Sequence, residues 1–243
     1  MPAAEESQAL EDLLDALNRG DKPAMRKAVD ALTALIDESP ALAARLESLL
    51  SQLREEKRWP VAYVLASLAP ISAPALETLI DALGSTDPDI RWAVSLRLTE
   101  LARRDPEIRG RLLGLVRRGG SAQRRMAIYG LRDVGLDDAA ARQAFLEALY
   151  DREPLVRVAA ATALRSARDT SGAALSLINV LFHDPDSRVR CAAAMSLARL
   201  GEPAAAICAA LREGASDPDP QVQKACKAAL DVLEKKRPAP PTR

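Results

Sequence analysis

Apolar residues along the chain recur with the period of a helix, and that helical pattern itself recurs every 33 residues. The clearest copy is VRCAAAMSL from Val189, following the turn Asp184-Pro185-Asp186. Stepping back by 33 residues gives VRVAAATAL from Val156, QRRMAIYGL from Gln123, IRWAVSLRL from Ile90 and KRWPVAYVL from Lys57. Weaker copies begin at Ala24 and Val222, so the last leucine of the nonamer falls at Leu32, Leu65, Leu98, Leu131, Leu164, Leu197 and Leu230. A self-similar period of this length predicts a solenoid, in which each unit buries its apolar face only against its neighbours.

A second helix precedes each of these at the same offset. Leu13, Leu46, Leu79, Leu112, Phe145, Ile178 and Leu211 form one of its columns, and Leu17, Leu50, Leu83, Val116, Leu149, Phe182 and Ala215 another, four residues on. The i, i+4 spacing puts both columns on one helical face. Each unit is therefore a helix pair. The predicted pairs are 8–17/24–35, 41–53/57–68, 74–83/90–101, 107–116/123–134, 139–149/156–167, 171–182/189–200 and 204–211/222–233. Ser39-Pro40, Asp105-Pro106 and Glu202-Pro203 read as caps followed by a proline in the first turn, where a missing N–H costs nothing. Asp87-Pro88-Asp89, Gly119-Gly120-Ser121, Asp184-Pro185-Asp186 and Asp217-Pro218-Asp219 read as the turns within pairs.

The period alone would suit ankyrin or tetratricopeptide repeats. The single histidine rules out a recurring TPLHxA stretch, and the large aromatic and glycine positions of the tetratricopeptide pattern do not recur. The DPDxxVRxxAAxAL of Asp184–Leu197 instead resembles HEAT repeats, in particular the short HEAT-like repeats of phycobilisome lyases, and the resemblance covers about residues 8–233. It implies an all-α fold, a right-handed α-solenoid of about seven two-helix repeats. The expected organisation is a single solenoid over 1–234 and a disordered basic, proline-rich tail over 235–243. That tail places Lys235, Pro238 and Pro241 in a basic-then-PxxP spacing, which reads as a solubilising end.

Arg58, Arg91, Arg124, Arg157 and Arg190 all occupy the second position of the nonamer, with Met25 and Gln223 at the ends. An arginine reaching Asp151, Asp184 or Asp217, in its own or a neighbouring turn, would make a ladder of charge-assisted bonds. This column is expected to be architectural.

Charge changes the picture of partners. The 34 basic and 34 acidic side chains cancel, but residues 1–56 hold 6 basic and 12 acidic groups, whereas 91–132 hold 11 arginines and 3 acids. The start, MPAAEES, has no basic-then-apolar leader, and no run approaches a membrane span. A soluble, cytoplasmic protein with no membrane partner is expected. Cys191, Cys208 and Cys226 lack CxxC spacing and fit reduced thiols.

No catalytic, cofactor or metal site is predicted. His183 lies at a helix end and reads as a cap or surface residue. The iron-binding hydroxylase branch of the resembling families uses several His-Glu pairs, which one histidine cannot supply. Gly119-Gly120 joins two helices without the Lys-Ser/Thr of a phosphate loop, and Cys191 has no histidine base in its own or a flanking second helix.

With the first residue of the nonamer numbered zero, the apolar columns fall at offsets 0, 3, 4, 7, 8 and 11, so offsets 2, 5, 6 and 9 are predicted to face outward. Offset 2 carries Trp59, Trp92 and Arg125; offset 6 carries Tyr63, Leu96 and Tyr129; offset 9 adds Arg132 and Arg165, and offset 5 adds Ile128. In HEAT-like solenoids the second helices line the concave face, so the resemblance implies a groove in which Trp59, Tyr63, Trp92, Leu96, Arg125, Tyr129 and Arg132 meet a protein or peptide partner. Aromatic and arginine clusters are the material of binding hot spots. The alternative is that Trp59 and Trp92 bend sideways and fill gaps between neighbouring helices.

The leading expectation is thus a non-enzymatic interaction module or scaffold. A nucleic-acid reader using the basic stretch 91–132, resembling HEAT-like DNA glycosylases with Glu100 or Asp133 as the acid, is a second. A lyase-type chromophore chaperone is a third, on repeat resemblance alone.

Overall fold

The computed structural model describes residues 11–17, 22–36, 40–135, 139–165, 170–200 and 205–236. All secondary structure among them is helical. The chain divides into two compact units, residues 1–101 and 102–243.

The first unit holds α1 (11–17), α2 (Lys22–Ile36), α3 (Pro40–Gln52), α4 (Glu55–Leu65), α5 (Ala73–Ala82) and most of α6 (Pro88–Arg104). The predicted pairs appear as α1 with α2, α3 with α4 and α5 with α6. Helix α4 packs on α2, α3 and α5, and α3 on α2 and α5, so α3 and α4 each meet both their sequence partner and a counterpart one repeat away. Ser72 caps α5 by accepting from the Ala75 N–H at 3.4 Å. Leu46, Leu79, Leu50 and Leu83 of the first-helix columns are buried, as are Leu32, Leu65 and Leu98 of the second. Each such leucine contributes roughly 1.5–3 kcal/mol on leaving water. Leu35, by contrast, is 44 % exposed in its apolar column.

The second unit contains α7 (Pro106–Arg118), α8 (Ser121–Val134), α9 (Ala139–Ala148), α10 (Pro154–Leu164), α11 (Thr170–His183), α12 (Ser187–Leu197), α13 (Ala205–Gly214) and α14 (Pro220–Lys236). Second helices pack in the series α8, α10, α12, α14, and first helices pack α7 on α9 and α11 on α13. Asp105 and Asp186 cap α7 and α12, accepting from the N–H groups of Glu107 and Arg188. Gly119 is required by space, since a Cβ there would sit 2.8 Å from the Leu115 carbonyl oxygen. The Gly120 N–H donates to the Gln123 Oε1 at 2.9 Å, closing the start of α8. Ser39, Glu202 and Pro203, expected as cap residues, lie outside the described residues.

Two expectations are corrected. Offset 5 is not outward: Ala62, Ile128, Ala161 and Ala194 are fully buried and Ser95 nearly so. A second helix inside a stack is flanked on both sides by other second helices, so its buried arc is wider than that of a helix packed on one face only. At offset 9, Ala66, Thr99 and Ala198 are buried for the same reason, whereas Arg132 and Arg165 are half-exposed. In α11 the core is filled by Leu177 and Leu181, one residue before the predicted Ile178 and Phe182, which are half-buried. Helix α14 runs to Lys236, two residues into the predicted tail; residues 237–243 lie outside the described residues.

The arginine column builds three complete rungs in the second unit. Arg124 grips Asp151 with two bonds of 2.7 Å, Arg157 grips Asp184 at 2.7 and 2.8 Å, and Arg190 grips Asp217 with two of 2.9 Å. Each aspartate lies in the turn of the next pair. Each arginine also donates through Nη1 to a carbonyl of its own turn: Gly119, Asp151 or Asp184. The positions 27 residues beyond Arg58 and Arg91 are Ser85 and Arg118 rather than aspartate, and among the described residues these two arginines donate to backbone, Leu53 for the one and Ser85 and Thr86 for the other. Gln223 keeps the own-turn half, donating to the Asp217 carbonyl at 2.8 Å. The column is therefore architectural, and its two ends differ because the turn chemistry differs.

Candidate functional site

Second helices α2, α4 and α6 of the first unit enclose an open cavity of about 550 Å³. From α2 come Met25, Arg26, Val29 and Asp30; from α4 come Lys57, Trp59, Pro60 and Tyr63. Ile90 and Ala93 of α6, with Asp87 and Asp89 at its start, form the third side, and Leu17 of α1 adds apolar floor. The cavity runs across the helices rather than along any one, since all three contribute to its lining.

The aromatic wall is built by one turn of α4. Trp59 and Tyr63, four residues apart, meet edge to face with centroids 6.5 Å apart and planes at 85°. Both are half-buried. The Arg97 guanidinium lies over the Tyr63 ring at 4.6 Å and pairs with Glu100 at 3.3 Å. Sequence reasoning missed Arg97, although it is a charged residue in an otherwise small or apolar column. Trp92 and Leu96 are 48 % and 57 % exposed and do not line the cavity.

The remaining expected contact residues lie in the second unit. Arg132 sits over the Tyr129 ring at 5.1 Å and pairs with Asp133 at 2.7 Å, and Arg125 and Tyr129 are half-buried. The Asp133 carbonyl accepts from Arg103 at 3.0 Å. Glu100 and Asp133 are both exposed and each is engaged by an arginine, so their carboxylates sit in arginine pairs at the surface.

Other chemistry-bearing groups fall elsewhere. His183 is exposed at the end of α11, beside a smaller cavity of about 320 Å³ with Tyr150 and Asn179 at its edge and the Arg157–Asp184 pair in its lining. Burial raises the Cys191 thiol and pushes Cys226 up to about 11, so both are poor nucleophiles at neutral pH. Among the described residues no three His, Cys, Asp or Glu side chains converge as metal ligands, and no helix is long and apolar enough to cross a membrane.

A family profile described as HEAT repeats matches residues 174–239, which take in most of α11 and all of α12 to α14. The fold is a HEAT-repeat solenoid. No curated protein matches the sequence. Among solved structures, the complex of CpcE and CpcF of phycocyanin lyase from a Nostoc species aligns at 23 % identity and a TM-score of 0.56, over 65 % of this chain and 99 % of that one. Cex1p aligns at 14 % and 0.55, over 94 % of this chain and 53 % of its own. Human deoxyhypusine hydroxylase aligns at 20 % and 0.45, over 97 % and 100 %. At these identities the likeness to the first two is one of fold alone, and function has to be argued from the side chains.

Proposed function

We propose that this HEAT-like chain is a non-enzymatic interaction module that holds a protein or peptide segment against the outward offsets of its second helices. The contact residues are Trp59, Tyr63, Trp92 and Leu96 in the first unit, and Arg125, Tyr129 and Arg132 in the second. The observation that carries the reading is the cavity of about 550 Å³ walled by Trp59 and Tyr63, together with the exposure of Trp92 and Leu96 beside the same helices. Large apolar groups left at a surface are a solubility liability unless a partner covers them. None of these seven side chains is among the buried residues, so they can be changed without cutting into the core.

The test is a photo-crosslinking residue at position 96, compared with one at the still more exposed Leu175, in the wild type and in the Trp59→Ala/Trp92→Ala double variant. The expected result is a discrete protein adduct at 96 alone, lost in the double variant while Tm falls by only a few degrees. A variant that melts much earlier yet forms the same adduct would make the tryptophans packing residues and defeat the proposal. Nucleic acid is tested in parallel: salt-sensitive DNA retention abolished by Arg125→Ala/Arg132→Ala, with no protein adduct, would put a polyanion in place of the peptide.

A further inference from the structure

The first-unit cavity has a charge and shape pattern that goes beyond a generic apolar groove. We infer that its occupant is an extended, proline-rich segment of a partner protein with basic residues at its ends. The inference rests on the interaction-module reading and names the chemistry of the partner. A chain crossing the cavity passes from Asp30 on α2, over Trp59 and Tyr63 on α4, to Asp87 and Asp89 at the start of α6. The middle is aromatic and the two ends are acidic. Arg26 and Lys57 also line it, so the lining holds three carboxylates against two cations and is acidic on balance. Residues 1–101 as a whole carry 17 acidic and 10 basic side chains, so the surrounding field favours a cationic segment.

Dimensions select the conformation. Packed helices lie roughly 8–10 Å apart, so three of them span about 16–20 Å. Polyproline II rises about 3.1 Å per residue, and about six residues cover that width. A helix laid across the same width would need about 11–13 residues at 1.5 Å each and would present one face to three separate ridges. Polyproline II has no internal hydrogen bonds to protect and little conformational entropy to lose, and its rings pack on indole and phenol faces. Pro60, between Trp59 and Tyr63, adds an apolar floor where no backbone N–H has to be satisfied.

The experiment is fluorescence anisotropy on the full chain with a labelled oligoproline peptide bearing an arginine at each end. Controls are the same peptide ending in glutamates, one ending in neutral residues, and an amphipathic helical peptide. The arginine peptide is expected to bind with Kd of about 10–100 µM, as befits a short segment. It should bind at least tenfold more tightly than the glutamate peptide, and more weakly as salt rises. Trp59→Ala should reduce binding of all proline peptides tenfold or more. Asp30→Asn, an exposed change that leaves the wall and core untouched, should weaken the arginine peptide several-fold and leave the neutral peptide unchanged. Equal binding of arginine and glutamate peptides, or tighter binding of the helical peptide, would overturn the inference while leaving the interaction module standing. Absence of binding by every proline peptide would also overturn it, and the adduct at position 96 then decides the broader reading separately.

Discussion

Replacing Arg157 with alanine should cost about 3–5 kcal/mol of the stability of the second unit, the amount that follows from orphaning a buried charge. The Arg157 and Asp184 side chains are 10 % and 5 % exposed. Removal takes away two charge-assisted bonds of 2.7 and 2.8 Å and the donor of the Asp151 and Arg152 carbonyls, at 2.9 and 3.3 Å. It leaves Asp184 holding only the Asp186 N–H among these contacts. At about 2–4 °C per kcal/mol for a chain of this size, Tm should drop roughly 6–20 °C. Arg157→Lys should recover little, because one ammonium cannot fork onto a carboxylate while reaching back to the turn. The matched control is Arg188→Ala, whose pair with Asp186 is just as short at 2.6 Å but involves a side chain 62 % exposed; it should leave the unfolding curve nearly unchanged. Urea unfolding followed by helical ellipticity separates the two. If Arg157→Ala costs no more than Arg188→Ala, the ladder is decoration and the stacking of these turns must be explained by apolar packing alone.

Along the ladder, Arg190→Ala should cost nearly as much as Arg157→Ala, and Gln223→Ala only about 1 kcal/mol, since it loses one neutral bond; thermal melts rank the three. The Arg190 hydrogen bonds hold the Asp217 carboxyl below its ordinary value, so its stabilisation is complete above the unfolded carboxylate pKa near 4 and is lost as pH falls through the depressed folded value. Acid titration of Asp217→Asn should therefore show a shallower loss of stability below about pH 5 than the wild type; parallel curves would count against the pairing. Gly214→Ala should cost roughly 1–3 kcal/mol, because the added methyl would sit 2.7 Å from the Cys226 Sγ and 3.4 Å from Leu181 Cδ2; an unchanged melt would show that α14 can shift. Within the second unit, hydrogen exchange should be slowest in α10 and α12, which have second-helix neighbours on both sides, and faster in α14; uniform protection would contradict nearest-neighbour stabilisation.

How far the sequence reaches depends on whether a feature repeats. Leu65, Leu98, Leu131, Leu164 and Leu197 were legible because each does the same job in the same surroundings, and the structure buries all five. The rungs were half legible. The arginine column and the aspartates stood out, but whether an arginine bonds within its own turn or the next was open, and the side chain does both: a carbonyl at home and a carboxylate 27 residues on. The helical wheel went wrong at offset 5 because a wheel has one inside, whereas α10 and α12, for example, each have a partner helix and a second helix on either side. It went wrong in α11 because Leu177, Ile178, Val180, Leu181 and Phe182 are all apolar, and a run with so little polar contrast does not fix the helix phase. The cavity was the least legible. The period could set Trp59 and Tyr63 on an outward face, but the space before them depends on what three different repeats place around it: Arg26 on α2, Pro60 on α4, Ala93 on α6. Small and irregular residues there leave room that a regular repeat would fill. The departures from the repeat, Arg97 over Tyr63 among them, are therefore where recognition is to be sought, while the conforming positions hold the scaffold that displays it.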